Sequence, residues 1–199
     1  MPRKPEMRLV FIGPPGAGKG TQAVRLAAWC QVVHLSTGDV FRENIRAGTP
    51  LGAAAREHLD AGELVPDALT DALVADRLAE ADCASGFILD GYPRTLAQAD
   101  ALDHVLAESS RELDGVIELH VGDEVLIDRL LTRGRSSGRS DDTAPIIRRR
   151  LDRYRNDTHP LVELYERRGR LIRIDGDADP DSVQRRLRED IEMRTTSKE

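Results

Sequence analysis

The residues best suited to chemistry sit together in Gly13–Thr21, which reads Gly-Pro-Pro-Gly-Ala-Gly-Lys-Gly-Thr. Glycines let a backbone curl until successive N–H groups point at one spot, which suits a phosphate group. A helix beginning there adds unpaired N–H groups and a dipole that favours an anion. Lys19 adds a mobile positive charge. The chain has three lysines, Lys4, Lys19 and Lys198, and otherwise uses arginine, so the one lysine in its body lies in this loop. The residue after such a lysine is commonly Ser or Thr, whose hydroxyl reaches a metal ion. Here it is Gly20, and Thr21 follows.

A second set of candidates lies further on. Phe87-Ile88-Leu89-Asp90 is an apolar run ending in a carboxylate, the kind that helps hold Mg²⁺ at nucleotide phosphates. In Gly91-Tyr92-Pro93-Arg94, the glycine permits close approach of a ligand, Pro93 stiffens the turn and Arg94 offers a planar fork for phosphate. Ser36-Thr37-Gly38-Asp39 reads first as a helix start, with Ser36 or Thr37 as N-cap and Asp39 in the first turn. Arg42, one turn on, is placed for a second phosphate. Gln98 follows Arg94 by one turn, and its amide can donate and accept at once, as a purine edge requires.

Arg129 and Arg133, four apart, project together from one helix. Arg139 lies in the polar segment Thr132–Asp142. Arg150 belongs to Arg148-Arg149-Arg150, on a helix whose apolar stripe is Ile147, Leu151 and Tyr154. Arg148 and Arg149 read as a solvated face. A lysine, one metal ion and several arginines can neutralise a transferring phosphoryl group in a closed cleft without a covalent intermediate.

The elements that must position these groups alternate. Met7–Ile12, Val32–Leu35, Phe87–Leu89, Val116–Val121 and Leu171–Ile174 are short apolar runs. Helical patterns separate them: Gln22–Trp29, Ala68–Ala81, Thr95–Leu106 and Glu124–Arg133. That alternation predicts a parallel five-stranded α/β sheet with helices on both faces, its ligand beyond the carboxyl ends of the strands. The candidate residues do follow strands. Two insertions break the pattern. Thr37–Val65 holds two helical stretches split by Gly48-Thr49-Pro50 and ends in Gly62-Glu63-Leu64-Val65. Thr132–Asp142 reads as a polar loop, a mobile flap.

A chain of 199 residues suits one domain with small insertions. Hydrophobic residues make up 40% and aromatics 4%, so the core must be largely Leu, Val, Ile and Ala. A formal net charge of −6 argues against nucleic acid as the main partner. No apolar run approaches the roughly 20 residues of a membrane span, and Met1–Glu6 lacks the apolar segment of a secretory signal. Cys30 and Cys83 fit no zinc spacing and are expected reduced and buried. The expectation is a cytoplasmic monomer.

Taken together, Gly13–Thr21, Ser36–Asp39, Gly62–Val65, Asp90–Thr95 and Gln98 make the chain resemble the adenylate kinases over Arg8 to Asp190. The resemblance implies a P-loop NTPase-type sheet and reversible transfer of the terminal phosphoryl of MgATP to AMP, giving two ADP. It implies that Gly16, Ala17, Gly18, Lys19, Gly20 and Thr21 bind the ATP phosphates, that Arg129 stacks on the ATP base, and that Arg133 contacts its phosphates. It implies AMP binding by Thr37, Arg42, Glu63, Leu64, Val65, Gly91, Tyr92, Pro93, Arg94 and Gln98. Arg139 and Arg150 would close over the transferring group, and Lys19, Arg94, Arg129, Arg133, Arg139 and Arg150 form the catalytic set. Asp90 would hold Mg²⁺ through water. Residues 36–65 resemble the AMP-binding insertion and 132–142 the lid, with 7–35, 66–131 and 143–192 as core and 193–199 as a frayed tail. The lid is the short form without cysteines, so no structural zinc is expected. Ala178 stands where some members carry a basic residue near the ATP base, leaving a backbone contact. A uridylate or cytidylate kinase is the rival within enzymes, and Thr37 and Gln98 favour a purine. An idle nucleotide-binding module would be expected to have lost Lys19, Asp90 or the arginines.

Overall fold

The computed structural model describes residues 6–137 and 141–196. The apolar runs form strands β1 (Met7–Ile12), β2 (Val33–Ser36), β3 (Gly86–Asp90), β4 (Gly115–His120) and β5 (Leu171–Asp175). All pair in parallel, in the order β2-β3-β1-β4-β5. Strands of a parallel sheet are buried on both faces and so read as continuous apolar runs rather than as alternation. That is why Phe87, Ile88 and Leu89 are all fully buried. The chain leaves β1 toward one edge and later crosses to the other, so the crevice beyond the carboxyl end of β1 is the switch point where ligands bind in such sheets.

Helix α1 (Lys19–Cys30) and helix α9 (Pro180–Thr196) cover one face, packing Leu26, Leu187 and Ile191 against Ile88, Leu119 and Ile172. The opposite face carries Leu102 and Leu106 of α5 (Leu96–Glu108) and Leu161 and Tyr165 of α8 (Pro160–Arg167) against Val10, Phe87 and Val116. A third, smaller core joins Phe41 of α2 (Thr37–Ala47), Ala55 of α3 (Pro50–Ala61), and Val65, with Leu69 and Leu73 of α4 (Asp67–Leu78) packed on it. A 3-10 turn at Ala81–Ser85, helix α6 (Asp123–Ser137), helix α7 (Ala144–Arg153) and a π-helical turn at Tyr154–Thr158 complete the order among the described residues. Cys30 and Cys83 are buried and form no disulfide, as expected. Among the described residues no helix is long and apolar enough to cross a membrane.

Two expectations are corrected. The segment expected as a polar loop from Thr132 is helical through Ser137, because packing of buried Leu126 and Leu130 anchors α6 and outweighs the weak helix propensity of Thr132, Gly134 and the serines that follow. The carboxyl-terminal segment expected as frayed from 193 continues α9 to Thr196, where Arg194 Nη2 donates to the Leu171 carbonyl at 3.1 Å.

Candidate active site

The chain leaves β1 through Gly13, Gly16 and Gly18, all at positive φ (142°, 88° and 91°), a path that side-chain-bearing residues adopt only with strain. Gly18 then starts α1 without a side-chain cap, and the first turn holds no acid. Helices α2, α3 and α5 contrast with it: Ser36, Thr49 and Thr95 cap each with a side-chain oxygen. The first N–H groups of α1 are thus left for an anion. Lys19 arches back over the loop, its Nζ donating to the carbonyls of Gly13 at 2.7 Å and Pro14 at 2.9 Å. Burial lowers its pKa to about 8; Asp90 opposes the shift, and the charges of Arg94, Arg150 and Arg133 add to it.

Asp90 ends β3 directly beside this loop. A Cβ added at Gly20 would stand 3.2 Å from Asp90 Oδ2, tighter than ordinary contact. A side chain after Lys19 would crowd that carboxylate, which gives the Gly20 departure a steric reason. His34 Nε2 lies 4.0 Å from the same oxygen.

Beyond Asp90 the chain turns at Gly91 (φ 84°), where an added Cβ would meet both Thr37 Oγ1 and Arg94 Nη2 at 3.0 Å. The Tyr92–Pro93 peptide is cis. The Gly91 carbonyl accepts from Thr37 Oγ1 at 3.0 Å and from Arg94 Nε at 2.7 Å, and the Arg94 carbonyl accepts from Thr158 Oγ1 at 2.9 Å. Arg94 is held with its fork toward the cleft. Burial and the neighbouring Arg150 lower its pKa to about 10, so it remains charged near neutrality. Gln98 is only 2% exposed; its Oε1 accepts from the Arg94 N–H at 2.7 Å and its Nε2 donates to Asp67 at 2.7 Å. Ser36 caps α2 as expected, and Arg42 pairs with Asp39 at 2.6 Å.

The arginines of α6 and α7 meet on one buried carboxylate. The Asp142 side chain is fully buried. Its Oδ2 accepts from Arg133 Nε at 2.6 Å, while its Oδ1 accepts from Arg133 Nη2 at 2.8 Å and from Arg150 Nη1 at 2.7 Å. Arg150 also pairs with Asp141 at 2.9 Å. Burial acts to raise the Asp142 carboxyl, but its hydrogen bond and charge pair with Arg133, together with Arg150, outweigh that and hold it below its ordinary value. Burial lowers Arg150, with Arg133 adding to the shift and the two aspartates opposing it. Arg129 Nη1 donates to the Gly176 carbonyl at 3.0 Å. Arg148 and Arg149 are exposed. Arg139 lies outside the described residues.

These groups line openings on both sides of the loop. The central one is walled by Lys19, Arg42, Arg94, Asp141 and Arg150, with Glu63 and Leu64 at its side. It meets a narrower recess at Thr37, Val65 and Gln98. On the other side of the loop, a second cleft opens between Gly16, Ala17, Gly18, Thr21, Arg129, Arg133 and the segment 176–180, with Ala178 in its wall. Tyr92 is buried away from these openings, its hydroxyl donating to Asp71 at 2.7 Å. Sequence reasoning missed Asp67, Asp71, Asp141 and Asp142. The acidic pair Asp141-Asp142 amid arginines was the available signal for the last two.

Residues 11–170 match the family model for adenylate kinase. This chain belongs to the adenylate kinase family. It is 49% identical to an adenylate kinase of Micrococcus luteus over 180 residues, 90% of this chain and 88% of the relative. An adenylate kinase of Pseudarthrobacter chlorophenolicus is 49% identical over 184 residues, 92% of this chain and 96% of the relative. One from Thermobifida fusca is 54% identical over 169 residues, 85% of this chain and 89% of the relative. The adenylate kinase reaction is reversible phosphoryl transfer between ATP and AMP, giving ADP, and the family works on magnesium-bound nucleotide.

Proposed function

We propose that this adenylate kinase carries out its reaction between the openings on the two sides of the loop, with ATP over Gly16–Thr21 and AMP at the Thr37, Val65 and Gln98 end. Lys19 and the first N–H groups of α1 would hold the ATP phosphates. Arg129, with the backbone at Ala178, would flank the ATP base, and Arg133 would contact its phosphates. Arg42 and Arg94 would hold the AMP phosphate, and Glu63, Leu64, Gly91 and Pro93 would wall its site, with Tyr92 buried behind them. Residues 36–65 would act as the AMP-binding unit and 132–142, including Arg139, as the lid. The observation that carries this reading is the gathering of Lys19, Arg42, Arg94 and Arg150 around one cleft.

Cations gathered before any substrate arrives are costly for the protein and useful only to a highly charged anion. The AMP phosphate is already ionised, so the step needs no general base. Its oxygen forms a bond to the terminal phosphorus of ATP as the bond to the bridging oxygen breaks, and ADP leaves with that electron pair. Lys19, Arg94, Arg139 and Arg150 would stabilise the charge spread over the transferring group.

Magnesium carried on nucleotide phosphates needs one or two carboxylates besides the phosphates themselves. Asp90, crowded against Gly20 at the loop, fits that requirement and would hold the ion through water. When bound, the ion neutralises charge on the phosphates. The reading includes no structural zinc and no nucleic-acid partner, and takes the protein as a cytoplasmic monomer.

The test is label transfer. With ATP labelled in its terminal phosphoryl, label should appear in the β position of ADP only when AMP is present. Release of free labelled phosphate at the same rate with and without AMP would show a hydrolase and overturn the reading.

A further inference from the structure

Helix α4, which follows the α2–α3 pair, turns Asp67 and, one turn later, Asp71 toward the segment after β3. Asp71 holds the Tyr92 hydroxyl. Asp67 divides its two oxygens. Oδ1 accepts from Gln98 Nε2 at 2.7 Å, and Oδ2 accepts from the Thr95 hydroxyl at 2.9 Å. Thr95 is the cap of α5, its Oγ1 accepting from the Gln98 N–H at 3.1 Å. The other end of the Gln98 amide accepts from the Arg94 N–H at 2.7 Å.

A carboxylate can only accept and a backbone N–H can only donate. One orientation of the Gln98 amide satisfies both neighbours. The reversed orientation sets its carbonyl against Asp67 and its NH₂ against an N–H. With Gln98 2% exposed, neither mismatch can turn to water. The amide, fixed in this way, lines the narrow recess with one N–H and one oxygen lone pair still unused. The edge of adenine presents an amine donor beside a ring-nitrogen acceptor. Guanine presents the reverse, a carbonyl beside a ring N–H. An amide free to turn over serves either base, whereas a fixed one serves a single order without displacing the base.

We propose that Asp67 is a specificity-determining positioning residue, which, acting through Gln98, sets the acceptor recess to take a 6-aminopurine and refuse a 6-oxopurine. This rests on the placement of the AMP base at Gln98. Asp67 touches no substrate; its effect comes through the amide it orients.

The experiment compares AMP and GMP as acceptors at saturating MgATP for Asp67→Ala, Asp67→Asn, Gln98→Leu and the Asp67→Ala/Gln98→Leu pair, with folding checked by circular dichroism. Asp67→Ala should lower kcat/KM for AMP by about tenfold to a hundredfold, mainly through KM, the loss of one hydrogen bond to a charged group. The AMP-to-GMP ratio should narrow while KM for ATP stays within about twofold. Asp67→Asn, whose carbonyl can still accept from Nε2 and whose NH₂ can donate to Thr95, should keep most of the ratio. The double variant should be no less selective than Gln98→Leu alone, since both changes act through one amide. If Asp67→Ala does not fold, Asp67→Ser, too short to reach Nε2, replaces it. An unchanged ratio in a folded Asp67→Ala or Asp67→Ser protein, with Gln98→Leu narrowing it, overturns the role of Asp67. An unchanged ratio in Gln98→Leu itself overturns the base placement beneath it.

Discussion

Replacing Asp142 by Asn removes the charge on which two arginines converge. Its carboxylate accepts three hydrogen bonds from guanidinium groups, at 2.6, 2.8 and 2.7 Å, from a fully buried position. An asparagine keeps one carbonyl acceptor and sets an NH₂ against a guanidinium donor. Removing one partner of a buried charged pair costs about 3–5 kcal/mol. Arg133 and Arg150 project from helices anchored in the core by Leu126, Leu130, Ile147 and Leu151, so the loss registers in global stability. For a chain of this size each kcal/mol shifts Tm by about 2–4 °C, which gives a fall of about 6–20 °C. The released guanidiniums no longer hold their aim, and turnover should fall by about a hundredfold, the usual consequence of a misplaced catalytic group. The pH dependence has a definite sign. The Asp142 carboxyl is held below its ordinary value in the folded protein, so its contribution is complete above the unfolded value near 4 and is lost as pH falls through the folded value. Scanning calorimetry of wild type and Asp142→Asn should therefore show a Tm gap at pH 7 that closes at low pH. A gap under about 2 °C at pH 7, or one that stays constant down to pH 3, would refute the claim that this carboxylate organises the arginines.

Nucleotide binding should take up about half a proton at pH 8, because phosphates restore full charge to Lys19, whose pKa is lowered to about 8 in the free protein. Titration calorimetry in buffers of different ionisation enthalpy measures this, and Lys19→Met should abolish the uptake along with turnover. Gly91→Ala should cost about 1–3 kcal/mol and raise KM for AMP more than for ATP, because alanine at φ 84° is strained and its Cβ would press on Thr37 and Arg94; denaturant melts and acceptor saturation curves check it. Arg150→Lys should cut turnover by about 10³-fold or more with little change in affinity for ATP alone, since lysine lacks the planar fork. Weak ATP binding with turnover intact at saturation would move Arg150 from the chemistry to the ground state.

The sequence made the sheet legible because the three central strands, β1, β3 and β4, are buried on both faces and read as mainly apolar runs, while the edge strands β2 and β5 still show Val33, Leu35, Ile172 and Ile174 beside polar neighbours. The phosphate loop was legible because its function depends on backbone geometry, which glycine spacing announces. The acids that organise the site were not. Asp67 reaches Gln98 across 31 positions and Asp71 reaches Tyr92 across 21, and an isolated Asp in a chain with 35 acidic residues carries no local mark of such a contact. Asp142 serves Arg133 and Arg150 only because α6 and α7 fold against each other there. The extension of α6 to Ser137 was hidden by Gly134 and the serines, whose weak helix propensity is outweighed by packing of the preceding turns.

The central claim is that AMP is the acceptor, read at Gln98 and charged from ATP across the lysine–arginine cleft. The direct measurement is initial rates of diphosphate formation with AMP, UMP, CMP and GMP at one fixed concentration of MgATP. The account predicts AMP faster than each of the others by about tenfold to a hundredfold or more, one unmatched buried polar group per wrong base being enough. UMP or CMP turned over as fast as AMP, by a protein that binds ATP normally, would contradict it.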